Sequence, residues 1–348
     1  MEHVPGQLVW SGLAEVVKEV IQSEVGEFSK TFFGVLGYIL KNRPRIIILE
    51  NVQAAPWDAF AKNWFDPAGY LSNYVKADTQ NYWLPQTRTR GYTIAADRGT
   101  FDEEVAQKIV DHWTKIMVGM ESKLQAELSL FVRHKNHPAT EAAPQFIEGR
   151  LRARKLKQSD APHAQIKHKT FRIDNDLDLV LSPYSNVDAR HYPTPRDDTW
   201  RDYLRAQLWR ALDNLDILFL TGLKANFDIT HKPLIYDLYQ TPERRTRQMA
   251  ISPCVTPSGQ FFISDQGRPL LGIEAMALQG MPMDQLVPSV ETNGQLQDMA
   301  GNAMSTTVVG TAILAAVISQ RLVCGLPPAA AQTQVISSGA RQTALRMF

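Results

Sequence analysis

Three consecutive isoleucines followed by a leucine and a carboxylate, Ile46-Ile47-Ile48-Leu49-Glu50, constrain the fold more than any other stretch of the chain. β-branched side chains restrict χ1 and favour extended backbone. A run without polar alternation marks a strand covered on both faces, as in a parallel sheet. Just before it, Phe28, Phe32, Val35, Leu36, Ile39 and Leu40 recur at helical spacing and predict a helix over 28–40 with one apolar stripe. Ser29 is the expected N-cap, and Asn42 with Pro44 the expected stop. A second β-type run, 91–96, follows a Pro-Gln-Thr-Arg turn region. Helix and strand in alternation indicate an open α/β sheet. Such sheets bind ligands outside the carboxyl ends of their strands, where Glu50 stands.

The 348 residues accommodate one large domain or two ordinary ones. Two cysteines, Cys254 and Cys324, have no metal-ligand spacing, which excludes a disulfide framework and fits a reducing compartment. The opening MEHVPGQLVW lacks a basic region followed by an apolar stretch, so no secretory signal is expected. No run of about 18 apolar residues stands out, and no transmembrane helix or membrane partner is expected. Further helices are expected near 102–132, 198–213, 272–280 and 301–323, with a strand near 260–264. The formal charge of +1 neither requires nor excludes a polyanionic partner, so local clustering matters more. Arg150, Arg152, Arg154, Lys155, Lys157, Lys167, Lys169 and Arg172 concentrate eight basic side chains in a segment poor in large apolar residues. That composition suits phosphate contacts and a solvated loop equally well. His134 and His137 have metal-like spacing but no Cys or acidic partner nearby, and are read as exposed loop residues.

Four short motifs carry the chemistry: Glu50-Asn51-Val52; Pro85-Gln86-Thr87-Arg88-Thr89-Arg90-Gly91-Tyr92; the stretch from Arg268 through Glu274 and Gln279 to Pro282; and Ala300-Gly301-Asn302-Ala303-Met304-Ser305. Each alone is common, but their order and spacing resemble motifs VI, VIII, IX and X of the cytosine-5 DNA methyltransferases, of eukaryotic and fungal type. The resemblance covers 28–97 and 250–323 and is architectural between them. It implies an α/β fold, the C-terminal half of a Rossmann-like S-adenosylmethionine-dependent methyltransferase sheet with a large target-recognition insert. The corresponding division is 1–97 catalytic domain, 98–250 target recognition, 251–325 return to the catalytic domain and 326–348 tail.

The resemblance also assigns roles. In this family a cysteine thiolate attacks C6 of cytosine, and negative charge builds toward N3 and O2. Glu50, at a strand end in a dry pocket, would share a proton with N3, which suits a raised pKa. Arg90 would meet O2, Arg88 the adjacent backbone and the cysteine loop, and Asn51 would brace that loop. Asn302 would lie against S-adenosylmethionine, with Gly301 and Ala303 leading into a helix start at 303–305 whose N–H groups face the methionine carboxylate. Arg268, Glu274 and Gln279 receive structural roles. The implied partner is duplex DNA with a flipped cytosine, and the implied compartment the nucleus. Two departures matter. Tyr82-Trp83-Leu84 stand where a small residue and a glycine usually precede the turn, and no glycine loop, acidic ribose ligand or Pro-Cys nucleophile loop precedes Glu50. Phe33-Gly34-Val35-Leu36-Gly37 falls inside the helical stripe, and Pro253-Cys254 lies before motif IX. Three readings follow: a fragment of a full enzyme, completed by a segment carrying the nucleophile; one subunit of a split enzyme; or a non-catalytic, methyltransferase-like DNA-binding or regulatory protein. RNA is a weaker alternative substrate.

Overall fold

The computed structural model describes residues 27–122, 124–134, 137–138, 140, 162–186, 203–204, 206–242, 250–257, 259–283 and 291–325. The chain divides into two compact units. The first comprises 1–76, 91–120 and 310–348; the second comprises 77–90 and 121–309. Helix Glu103–Gly119, expected in the recognition region, belongs to the first unit, where the buried Trp113 donates its indole N–H to Ala312 O at 2.9 Å.

In the first unit, α1 (Glu27–Asn42) leads into β1 (Ile46–Val52). Ser29 is inside α1 and not at its cap. The helix stops because Arg43 takes a left-handed φ of 48° and its N–H returns to Ile39 O, after which Pro44 has no donor to continue. Leu36 and Ile39 bury fully, while Phe32 stacks on Phe60 and Phe33 meets Trp64 edge-on. A short helix α2 (Trp57–Phe60) runs into a π-helical turn, Ala61–Phe65, and on to β2 (Tyr70–Asp78). With β3 (Thr89–Asp97) these strands form a sheet in the order β1-β3-β2. The core gathers Ile39, Ile47, Phe65, Ala68, Tyr70 and Ala95. Each isoleucine and phenylalanine side chain among them contributes about 1.5–3 kcal/mol if fully buried. β1 is not covered on both faces as its composition suggested: only Ile47 is buried, and Ile46, Ile48 and Leu49 are half-buried. Its position at one end of the strand order explains this, since β1 has a sheet neighbour on one side only among the described residues. Arg43 joins the sheet's two ends of chain by pairing with Asp97 and donating to Ala68 O. Tyr70 donates to Pro44 O at 2.9 Å, and burial pushes its hydroxyl up to about 12. α3 (Glu103–Gly119) is capped by the Asp102 side chain on Val105 N and ends at 119, well short of 132.

In the second unit, α4 (Pro162–Asp174) gives helical order to part of a segment expected to be irregular. α5 (Trp209–Lys224) overlaps the helix expected over 198–213 and runs on past it, while 198–202 and 205 lie outside the described residues. Leu212, Leu215 and Leu218 of α5 share one core with Tyr203 and Leu204, and Leu220 packs with Phe171 and Leu177. An antiparallel sheet follows, with β4 (Ile235–Asp237), β5 (Phe261–Ile263) and β6 (Arg268–Pro269) in that order. Ile235 pairs with Ile263 and Phe262 with Pro269. α6 (Gly272–Leu278) and α7 (Asn293–Asn302) pack so closely that a methyl at Gly272 would meet Asn293 O at 2.4 Å. α8 (Thr306–Cys324) is a separate helix, so the single helix expected over 301–323 is broken at 303–305. Among the described residues one helical stretch, Asn293–Cys324, contains an 18-residue window with a mean hydropathy of 1.7, long and apolar enough to cross a membrane by length and composition only.

Buried charge ties α4 to α5. His168 Nδ1 lies 2.6 Å from Asp213 Oδ2, and Arg172 pairs with Asp213 and lies 3.7 Å from Asp216. Asp216 accepts Tyr184 N at 2.6 Å and Ser185 N at 3.1 Å. Burial pushes Asp216 up to about 6, opposed by those donors and reinforced by Asp213. An unfolded aspartate titrates near about 4, so across roughly pH 4–6 the folded state keeps a proton that the unfolded state has lost. This contribution to stability is fully present below that window and is lost as pH rises through it, by about 2–3 kcal/mol. Urea midpoints between pH 4 and 7 should carry this falling limb, and Asp216→Asn should flatten it. An identical slope in the variant would refute the assignment.

Candidate functional site

The turn before β3 is built from backbone that the side chains lock in place. Trp83 takes a φ of 76°, the left-handed conformation that glycine supplies without strain. Its ring lies edge-on to Phe131, while Tyr82 and Leu84 bury on either side. Gln86 N returns to Leu84 O at 2.8 Å, Thr87 N donates to Ser252 O at 2.9 Å, and Ser252 N donates to Pro85 O at 2.7 Å. The motif that reads Pro-Gln-Thr-Arg is thus clamped to the chain around Ser252.

A chain of buried polar side chains starts there. Gln86, Gln279, Ser305 and Thr79 are each 1% exposed or less. Gln86 Nε2 donates to Leu278 O at 3.0 Å, and Gln279 Nε2 donates to Gln86 Oε1 at 3.3 Å. Ser305 Oγ donates to Gln279 Oε1 at 3.1 Å, and the Ser305 and Thr79 hydroxyls lie 2.8 Å apart. Every link is satisfied, which is what makes a polar chain tolerable in a core. The chain joins residues 79–86, 278–279 and 305, segments far apart in sequence.

Arg88 lies within the same framework. Its Nη1 donates to Val255 O at 3.1 Å, and its Nη2 to Gly301 O at 3.2 Å and Ala303 O at 2.8 Å. Asp78 fixes the main chain beneath it: Oδ1 accepts Arg88 N at 3.1 Å and Oδ2 accepts the Thr89 hydroxyl at 2.6 Å. Arg90, two residues on, points to the same side of the extended chain. It is half-buried, donating to Thr89 O at 2.9 Å and approaching Cys254 Sγ at 3.8 Å. Arg88 Nη1 reaches the same sulfur at 3.4 Å, so both guanidiniums face Cys254.

The remaining residues fall as follows. Glu50 is half-buried near the end of β1 in the first unit, and Asn51 is exposed with its Oδ1 accepting Val52 N at 2.7 Å. Arg88, Arg90, Gly301 and Ala303 come together in the second unit. Asn302 is exposed at the end of α7, where its Nδ2 donates to Asp298 O at 3.0 Å. Gly301 is packed against Pro257, whose nitrogen would lie 2.1 Å from an added methyl. Gly301 and Asn302 end one helix, Ala303 N returns to Ala300 O, and the next helix begins at Thr306, one residue past the expected start at 303–305. The loop therefore lies between the carbonyl end of one helix and the N–H end of the next. Arg268, Glu274 and Gln279 are all buried in the core. Arg150, Arg152, Arg154, Lys155 and Lys157 lie outside the described residues. Among the described residues no cluster of three metal-ligating side chains occurs.

Sequence reasoning missed Asp78, Thr79, Ser305 and Cys254. A signal existed for two of them. Asp78 caps the 3-10 turn Thr79–Tyr82 through Gln80 N, and Ser305 immediately precedes a helix. Their long-range partners had none.

The first unit thus offers a carboxylate near a strand end, and the second an arginine pair on a buried polar frame, a set of polar groups that does not by itself name a class. Comparison with known proteins supplies one: the chain belongs to the C-5 cytosine-specific DNA methylase family, whose model matches residues 21–319. It is similar to the DNA (cytosine-5-)-methyltransferase DMT5 of Verticillium dahliae, 37% identical over 301 residues, and to that of Cryptococcus neoformans var. grubii, 33% identical over 296 residues. These alignments cover 86% and 84% of this chain but only 13% and 12% of those proteins. Among solved structures, the Dnmt2 methyltransferase of S. pombe aligns over 86% of this chain and 73% of that one, at 11% identity and a TM-score of 0.39, a level that carries no argument.

Proposed function

We propose that this chain supplies the base-binding and target-reading half of a DNA (cytosine-5) methyltransferase, which transfers a methyl group from S-adenosylmethionine to C5 of cytosine. The observation that carries this reading is the family match over 21–319, within which all four motif segments fall in order. Glu50 would hold a proton at N3 of a flipped cytosine, and Arg90 would face the charge developing at O2. Asn51 would brace the loop bearing the nucleophile. Asn302 and Ala303 fit the cofactor side, because Asn302 is exposed on a loop whose backbone is fixed by buried donors. Contact there would run through the Asn302 side chain. When bound, S-adenosylmethionine supplies the electrophilic methyl group. Duplex DNA is the proposed partner and the nucleus the proposed compartment, and the thiolate would come from a segment outside this chain or from a second chain. The non-catalytic reading leaves Glu50 and Arg90 without a purpose.

The test uses a duplex containing 5-fluorocytosine, with S-adenosylmethionine. The complete enzyme should form a denaturant-resistant adduct, and residues 1–348 alone should form none. No adduct with the complete enzyme would sink the reaction proposed. An adduct on Cys254 of the isolated chain would sink the placement of the site.

The basic residues Arg150, Arg152, Arg154, Lys155 and Lys157 are proposed to meet phosphates. Neutralising four of them should weaken binding to unrelated duplexes alike and flatten the dependence of log K on log salt by about 3–4 units. An unchanged slope would make the segment a bystander.

A further inference from the structure

We infer that Arg88 is a positioning residue for the loop 301–303 and does not itself meet nucleic acid. This rests on the reading of Asn302 and Ala303 as the cofactor side, and it departs from the role that family resemblance gives this arginine. The side chain is 5% exposed, and three main-chain carbonyls take its two terminal nitrogens. Its Nε is buried as well and has no hydrogen-bond partner, so that donor does not reach solvent either. A guanidinium held in this way has no face for a phosphate.

Its location explains why an arginine stands there. α7 ends at Asn302, and the last carbonyls of a helix carry the negative end of its dipole without partners inside the helix. Arg88 caps that end, and its planar fork reaches Gly301 O and Ala303 O from one nitrogen while the other takes Val255 O. A lysine offers a single point of charge and cannot span the same three acceptors in fixed geometry. The other side of the loop is tied through Ser305 to Thr79 and Gln279, and Thr306 N donates to Gln279 O at 2.9 Å. Both ends of the loop 301–305 are therefore fastened to the segment 78–88 or its buried partners. The main chain between Arg88 and Arg90 is itself held by Asp78. The base-side strand start and the cofactor loop thus form one frame, and a change at Arg88 should be felt by the cofactor before it is felt by DNA.

The experiment measures S-adenosylmethionine binding by calorimetry without DNA, and duplex binding without cofactor, in the complete enzyme carrying Arg88→Ala, Arg88→Lys or Asn302→Ala. Arg88→Ala should weaken cofactor binding about tenfold or more and leave duplex affinity and its salt dependence within about twofold. Arg88→Lys should restore only part of the loss. Should the alanine variant not fold, the lysine variant reads the same split between cofactor and duplex. Weakened duplex binding with a flatter salt dependence and unchanged cofactor affinity would overturn the inference. If Asn302→Ala leaves cofactor binding intact, the cofactor reading of the loop fails instead.

Discussion

In the complete enzyme, Glu50→Gln should lower the rate of methyl transfer by about two orders of magnitude or more, the usual contribution of a positioned general acid. Glutamine keeps the size and one acceptor of the side chain but cannot share a proton with a ring nitrogen. The substitution therefore removes the proton while leaving the shape of the site. Glu50 lies within β1 near its end and is half-buried, which gives its carboxyl a fixed origin close to the surface where a flipped base would arrive. Duplex affinity should change far less, because phosphate contacts supply most of the binding. Single-turnover transfer of labelled methyl groups, set beside duplex binding, separates the two effects. Turnover near the wild-type rate would remove Glu50 from the chemistry.

How much of this was legible in the sequence depended on whether local pattern or distant contact decided each feature. α1, β1 and β3 were readable because their periodicities are strong and uninterrupted. β2 was missed: Tyr70-Leu71-Ser72-Asn73-Tyr74-Val75-Lys76 mixes polar and apolar residues without clean alternation, and much of it is only half-buried. The covering of β1 was overestimated because sequence reports composition and not how many neighbours a strand has. α7 was not foreseen, because Asn293–Asn302 is largely polar and shows no sustained apolar stripe, and its end at Asn302 was not foreseen either. What ends α7 there is non-local: Pro257 against Gly301, and Arg88 on the terminal carbonyls. The same limit applied to the site. The motifs singled out Arg88, Arg90 and Asn302, but their neighbours Asp78, Thr79, Ser305 and Cys254 are united only by folding. Arg88 shows the cost of reading a motif alone, since its place in the motif gave it the adjacent backbone and the cysteine loop, and its contacts are with buried carbonyls.

The second large effect is on stability and concerns the buried pair Arg268–Glu274, whose side chains are both inaccessible to solvent. The pair is bidentate, with Nη1 to Oε2 at 2.9 Å and Nη2 to Oε1 at 2.7 Å. Glu274 also accepts Leu271 N at 2.8 Å at the start of α6 and Arg133 N at 2.6 Å, while Arg268 donates to Arg133 O at 2.8 Å and Pro269 O at 3.0 Å. The two charges therefore hold three separate pieces of chain together: residue 133, β6 and the first turn of α6. Glu274→Ala leaves a guanidinium buried without its counter-charge and two main-chain N–H groups without acceptors. The expected loss is about 3–5 kcal/mol, a large share of the roughly 5–15 kcal/mol that stabilises a folded domain. Arg268→Met should cost a similar amount, because it strands the carboxylate. The double variant Arg268→Met, Glu274→Leu should be less damaged than the sum of the two, since no unpaired charge remains and the volume is kept. Urea unfolding of the four proteins closes the cycle. Additive losses, or a loss under about 1 kcal/mol for Glu274→Ala, would mean that the pair is not what fastens residue 133 to α6.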